Sequence, residues 1–329
     1  MKELMLKQID VFTTMPFCGN PALVVTRADG LTFEQMQEVA AEMNILESTF
    51  VTSAGSPGAD FRVRFFTPSS EYDFSGHAMI ATCFALVEEE IVALDEGVTS
   101  IKMETNAGVI RVDCHFHRAD ASSFAGESRD CIPMFNGGTA GLLRKIMIHR
   151  TIDEFRPAGV GVDEVASILG IDPGEISGTG LPVEIVFNGV HQLVIPVRRS
   201  STLARMCPDL IKLKLLNRRA GVQTTDVFTL DPLHDDCVTY SRHFSPAMGM
   251  WEDLGSGAGG ASIAAYLYKH GIITEKSMIM EQGLEVERLS RVHVEVAEGK
   301  EGIDIRAGGL AVTSMSRSVT IAEGGITVR

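Results

Sequence analysis

The stretch Phe66-Thr67-Pro68-Ser69-Ser70-Glu71-Tyr72-Asp73-Phe74-Ser75-Gly76-His77-Ala78, running into the apolar segment Met79–Val87, decides how this chain is read. It returns in the second half as Phe244-Ser245-Pro246, then Glu252-Asp253, then Ser256-Gly257-Ala258, running into Ile263–Leu267. Each copy reads as a strand end, a short acidic loop, a turn of small residues and a helix. One such helix in each half implies a pseudo-symmetric protein with two helix N-termini facing one cleft. The first turn of a helix presents unpaired N–H groups and a partial positive charge, so it binds carboxylate or phosphate. Two of them with acidic residues alongside suit proton chemistry on a small acid.

Working outward, Lys7–Phe12 alternates as a strand does, and Pro16–Pro21 is a turn before the short strand Ala22–Val25. Thr32–Met43 reads as a helix capped by Thr32, with apolar residues at 36, 39, 40 and 43 and Asn44 in its C-terminal turn. Ile45–Val51 and Asp60–Phe66 read as strands, Met79–Glu89 as the first central helix, and Ile101–Asp113 as two strands around Asn106-Ala107-Gly108. In the second half, Val162–Leu169 is a helix, Leu203–Leu216 a helix interrupted at Pro208, and Ala261–His270 the second central helix, stopped by Gly271. Leu142–Arg150 is basic and reads as a short helix. The order lacks regular strand–helix–strand alternation. The expected fold is therefore α+β, two pseudo-symmetric domains, each a mostly antiparallel sheet wrapped around a central helix. The expected boundaries are 1–113 plus about 315–329 for the first domain and 114–314 for the second. A long insertion is expected at about 118–160, where Ala119–Gly126 is rich in small polar residues.

With 329 residues the chain can bury two cores. Its formal charge of −14 argues against a general nucleic-acid binder. No run approaches the roughly 18 apolar residues of a membrane helix. Charges run through the first ten residues, where a signal peptide would be apolar, so a cytoplasmic protein is expected. The cysteines at 18, 83, 114, 131, 207 and 237 form no C-x-x-C pair and read as small hydrophobes or surface thiols. His115 and His117 share a strand face and read as solvated side chains, so no metal is expected. Ser256-Gly257-Ala258-Gly259-Gly260 lacks the Lys-Ser/Thr of a phosphate loop and reads as a carboxylate cradle.

Six motifs now stand in order: Phe17–Ala22, Asn44–Val51, Phe66–Glu71, Gly76-His77-Ala78, Glu252-Asp253 with Ser256-Gly257, and Glu281-Gln282-Gly283 with Arg288 and Ser290. In this order they resemble the phenazine-biosynthesis (PhzF-like) isomerase family, whose fold is that of diaminopimelate epimerase. The resemblance implies a cofactor-free, homodimeric enzyme with its site between two domains. It would isomerise a small cyclic amino acid, in the reference case trans-2,3-dihydro-3-hydroxyanthranilate. The family's catalytic glutamate falls on Glu47, its glycine–histidine pair on Gly76 and His77, its second-half aspartate on Asp253 and the following glycine on Gly257. The chain departs from the pattern in four places. Leu254 stands for a proline, Ser256 for a threonine, Ala258 for a serine that helps hold the substrate carboxylate, and Ser75 for a common cysteine.

On this reading Glu47 takes a proton from one carbon and returns it to another on the same face, as a half-buried carboxyl group is suited to do. His77 donates a hydrogen bond to the substrate. Asp253 holds its amine or hydroxyl and aids proton transfer, with an N-cap of the second helix as the alternative role. The backbone around Gly76, Ser256, Gly257 and Ala258 binds the carboxylate. Glu71 and Asp73 read as loop structure, and Glu252 stays open between the two roles. Two other functions are weighed. A two-base racemase or epimerase on the same fold needs a thiol at each central helix, where Ser75 and Ser256 stand. A non-catalytic ligand-binding protein would account for Ala258 but leaves Glu47 without a task.

Overall fold

The computed structural model describes residues 2–119, 131–136, 138–322 and 325–328. In chain order its elements are β1 Lys2–Val11, β2 Asn20–Val25, α1 Phe33–Met43, β3 Ser48–Ser53, β4 Phe61–Phe66, β5 Glu71–Tyr72, α2 Gly76–Glu88, β6 Gly97–Thr105, β7 Gly108–Arg118, β8 Ile132–Asn136 and β9 Thr139–Ile152. The chain continues through β10 Glu154–Pro157, α3 Val162–Leu169, α4 Pro173–Ser177, β11 Glu184–Phe187, β12 His191–Pro196, α5 Ser200–Arg205, α6 Leu210–Ala220, β13 Thr224–Thr229 and β14 Thr239–Ser245. After a 3-10 turn at Pro246–Met248 come β15 Met250–Asp253, α7 Gly257–Lys269, β16 Ser277–Gln282, β17 Ser290–Glu298, β18 Ile303–Gly309, β19 Ala311–Ala322 and β20 Gly325–Val328. Among the described residues no helix is long and apolar enough to cross a membrane.

The chain divides into two compact units, Met1–Ile148 with Gly308–Arg329, and His149–Ala307. They repeat one topology. In the first, β2 runs parallel to β3, β4 is antiparallel to β3 and β5, and β6 runs parallel to β4 and antiparallel to β7. In the second, β12 runs parallel to β13, β14 is antiparallel to β13 and β15, and β16 runs parallel to β14 and antiparallel to β17. The last long strand, β19, returns to pair with β1 and so closes the first unit.

Each sheet is covered on both faces. In the first unit every residue of α2 from His77 to Val87 is buried, so this helix is a core element and not an amphipathic one. Burying each of Ile80, Phe84 and Leu86 is worth roughly 1.5–3 kcal/mol. The opposite face is covered by α1, whose Met36, Val39 and Ala40 pack with Leu23, Val25, Phe50 and Phe66. Local sequence ends α1 cleanly. Thr32 and Gln35 form a capping box, and Asn44 takes the left-handed conformation at the C-cap. In the second unit Gly259–Leu267 of α7 is buried, and helices α3 to α6 supply the outer layer through Val165, Leu169, Ile176, Leu203, Leu213 and Leu216.

Three expectations need revision. Leu142–Arg150 is not a helix but part of β9, because β7 and β8 both offer it antiparallel partners, with Val112 opposite Ile148 and Ile132 opposite Leu143. That pairing keeps the described residues of 114–148 in the first unit, so a boundary at 113 would cut through β7. The region read as an insertion thus holds a strand hairpin of the first sheet. Of its small-polar stretch, residues 120–126 lie outside the described residues. Asn136, at the end of β8, is buried. It accepts from Leu94 N at 2.8 Å and donates to Val87 O at 2.9 Å and Val92 O at 2.8 Å, tying the hairpin to the end of α2. Finally, Leu203–Leu216 is two helices, since proline has no N–H for a helix interior and Asp209 caps the second by accepting from Lys212 N.

Candidate active site

Glu47 ends the link from α1 and enters β3, where its carbonyl accepts from Leu23 N of β2 at 2.9 Å. This pairing fixes its backbone and leaves the carboxylate beside the first turn of α2. There Ser75 caps the helix, its Oγ accepting from Ala78 N at 3.4 Å. The same hydroxyl donates to Glu47 Oε2 in a short hydrogen bond. His77 places Nε2 3.3 Å from Glu47 Oε2 and Nδ1 3.4 Å from Ser75 Oγ. The first of these is an electrostatic contact, because its alignment makes no hydrogen bond and Nε2 stays unpaired though buried. The Tyr72 hydroxyl is buried beside Glu47 and Ser75. Burial, and then the negative charge of Glu47, hold its proton on well above the ordinary phenol range. One carboxylate is thus ringed by a hydroxyl donor, an imidazole and a neutral phenol, with only about a seventh of its side chain exposed (14%). Of the expected first-half residues, Glu47, Gly76 and His77 stand together. Ser75 and Tyr72 join them.

The second-half turn holds Asp253, Ser256, Gly257 and Ala258 together. Asp253 closes β15 and is 8% exposed. Ser256 caps α7 by accepting from Gly259 N at 3.0 Å, which leaves its own proton available to donate. Gln282 braces the turn with both ends of its amide. Its Nε2 donates to Asp253 O at 2.8 Å and its Oε1 accepts from Ser256 N at 3.0 Å. Gly283 follows at φ +90°, where a Cβ would lie 2.4 Å from Leu254 O, so the brace needs glycine next to it. Ser290 Oγ donates to Leu254 O at 2.9 Å. Asn188 Nδ2 donates to Ala258 O at 2.8 Å and holds the first turn of α7 from the other side. Glu281, fully buried, accepts from the backbone of Leu233 and His234 and from the His234 ring, so it organises a loop. The Glu281-Gln282-Gly283 motif therefore has a positioning role that its sequence did not disclose.

The acidic loops resolve into structure. Arg64 clasps Glu71 at 2.7 and 2.9 Å, and Arg242 clasps Glu252 at 2.7 Å through both nitrogens. Each guanidinium also lies over the phenylalanine two residues on, Phe66 at 5.3 Å and Phe244 at 5.2 Å. Glu252, open on sequence, is thus a partner of Arg242. The repeated Arg-x-Phe ahead of each copy was the available signal.

Two further residues were missed, and no local pattern marks them. His243 on β14 is buried, with Nδ1 2.7 Å from Asp226 Oδ1 and Nε2 3.0 Å from Ser245 Oγ. Burial by itself would push the imidazole down, but the Asp226 charge outweighs it and the net shift is upward, helped by Asp253 and Glu252. Among the described residues no group of His, Cys, Asp and Glu is arranged to hold a metal.

The family model for phenazine biosynthesis-like proteins (PhzC-PhzF) matches residues 9–317. The chain is 30% identical to the trans-2,3-dihydro-3-hydroxyanthranilate isomerase of Pseudomonas aeruginosa, over 88% of this chain and 89% of that protein. It is 30% identical to an uncharacterized isomerase of Clostridium acetobutylicum, over 95% and 96% of the two chains. The crystal structure of a Bacillus anthracis PhzF-family protein superposes with a TM-score of 0.81 at 27% identity, covering 98% of this chain and 100% of that one. The chain, with its two repeated units and the carboxylate at the head of α2, belongs to the phenazine biosynthesis-like PhzC-PhzF family.

Proposed function

We propose that the protein is a PhzF-like isomerase that moves a proton between carbons of a small cyclic carboxylate or amino acid without a cofactor, with Glu47 as the acid and base. The observation that carries this is the gathering of Ser75, His77 and Tyr72 around the Glu47 carboxylate. A carboxylate that must lose and regain a proton benefits from neighbours that stabilise its charged form without neutralising it permanently. Ser75 and the neutral Tyr72 are such neighbours, and His77 offers an imidazole at the same oxygen. We assign the second-half turn to the substrate's polar groups. Asp253 takes the amine or hydroxyl, and the first-turn N–H groups of α7 around Ser256, Gly257 and Ala258 take the carboxylate. The named activity of the Pseudomonas relative supports a small cyclic carboxylate as the substrate class. Ala258, in place of a serine hydroxyl, leaves carboxylate binding to backbone donors and favours a substrate differing from that relative's. The serines at both helix caps lack the acidity of the thiols that a two-base racemase uses.

The test is solvent-deuterium incorporation, read by mass spectrometry and NMR, into a panel of cyclic β,γ-unsaturated and hydroxylated amino acids. Labelling or isomerisation by the wild type that vanishes in Glu47→Gln is the expected result, and the labelled carbon narrows the substrate. Labelling that persists unchanged in the variant overturns Glu47 as the base. Absence of labelling while a panel member binds equally well to both proteins would replace catalysis with ligand binding.

A further inference from the structure

The strand registers line up the two halves residue by residue. In the first, Phe65 of β4 stands between Thr49 of β3 and Tyr72 of β5. In the second, His243 of β14 stands between Asp226 of β13 and Asp253 of β15. Residues opposite each other in an antiparallel pair project to the same face, so each trio forms a row across its sheet. The first row is apolar in the middle, where Phe65 packs against Tyr72 at 5.9 Å between ring centres. The second row is acid, imidazole, acid.

We propose that Asp226 and His243 form a buried charged couple behind Asp253, with His243 a positioning residue that sets a fixed positive charge beside the second-half turn. The proposal rests on the reading of Asp253 as the second-half group that meets substrate. Asp226 and His243 are 1% and 4% exposed and 2.7 Å apart. Asp226 Oδ2 is buried and makes no hydrogen bond, so the ring is the partner that balances this carboxylate. A buried carboxylate with no counter-charge is strongly disfavoured, which places the proton on the ring. The second N–H then points to Ser245 Oγ at 3.0 Å, a hydroxyl able to accept it. The groups facing the ring are Asp226 from β13, Asp253 and Glu252 from β15 and the first turn of α7; Glu252 is already committed to Arg242. The helix makes room for the couple. At Gly259 a Cβ would lie 2.4 Å from Asp226 Oδ1 and 2.9 Å from His243 Nδ1. Ala78 occupies the matching place in α2, where Thr49 and Phe65 stand instead of the couple. His243, Asp226 and Gly259 thus act as one set.

The test is an NMR titration of the full chain without substrate, following the histidine ring nitrogens. His243→Phe identifies the His243 signals. At pH 7 both His243 nitrogens are expected to carry protons in the wild type. In Asp226→Asn the midpoint of the ring should fall by about one pH unit or more. The double variant Asp226→Thr with His243→Phe copies the first half and should fold. A neutral His243 at pH 7 in the wild type, which needs no variant to observe, overturns the proposal. So does a ring midpoint that Asp226→Asn leaves in place. Because no turnover is read, either outcome is independent of the deuterium experiment. If the wild type does exchange deuterium, the double variant should shift the pH profile of kcat while Glu47→Gln removes exchange at all pH values.

Discussion

The two turns that precede α2 and α7 share a frame and differ in cargo. Both carry an arginine clasped to a glutamate, a phenylalanine beneath the guanidinium, and a serine that caps the helix. What they present differs at nearly every other place. The first offers Glu47, Tyr72 and His77. The second has Thr224, Asp253 and Ala258 at the matching positions, with His243 and Asp226 in place of Phe65 and Thr49. The shared arginine, glutamate and phenylalanine thus serve the fold, and what distinguishes the two turns lies where the copies diverge.

The sharpest way to break this comparison is at the two strand entries. Glu47→Gln should lower proton exchange by about 10²–10⁴-fold, the range of a lost acid/base group. Thr224→Ala, its counterpart, should change exchange only a few-fold. Equal losses measured in the same deuterium assay would end the asymmetry. Stability tests the shared frame. Arg242 is the more buried guanidinium (8% exposed) and also donates to Leu203 O and Met206 O. Arg242→Ala should therefore cost about 3–5 kcal/mol in urea unfolding, as for a broken buried pair. Arg64→Ala, at a pair with more solvent access, should cost about 1–3 kcal/mol. A reversed order would show that the second frame is not the tighter one.

Smaller effects come from the helices. Gly259→Ala forces a methyl group against Asp226 and His243 and should cost about 1–3 kcal/mol by calorimetry. Ala78→Gly should cost about 1 kcal/mol through helix propensity. The smallest effects concern pH, and they run in opposite directions. Arg64 holds Glu71 below the usual carboxylate range, so its contribution is present above the unfolded value and lost as pH falls through the lowered one. Glu71→Gln should flatten the acid limb of the stability curve. His243 is shifted upward, so its contribution is full below the unfolded imidazole value and lost as pH rises through the raised one. His243→Phe should flatten the neutral-to-alkaline limb. Thermal melts across pH, with each variant flattening the other's limb, would contradict the assignment.

How much of this was legible depended on how far each cause lies along the chain. Thr32 with Gln35, and the serines before each central helix, act within three or four residues, and their roles could be read directly. The repeat was visible because its frame keeps order and composition. By contrast β9 carries basic residues on a pattern that suits a helix, and its pairing with β7 and β8 makes it a strand. The Asp226–His243 couple depends on the register of β13 against β14, which no local motif encodes. Glu47 is intermediate. A glutamate entering an apolar strand is ordinary, and it was the ordered motifs around it that singled it out.

Asn136 shows how misleading apparent dispensability is. From sequence, residues 118–160 invite deletion, as a late addition that evolution could add or remove at will. Yet one amide in that stretch binds three backbone groups where α2 ends. Trimming the segment would strip the core helix of its terminal anchor, so the stretch that reads as spare works as a buttress for α2.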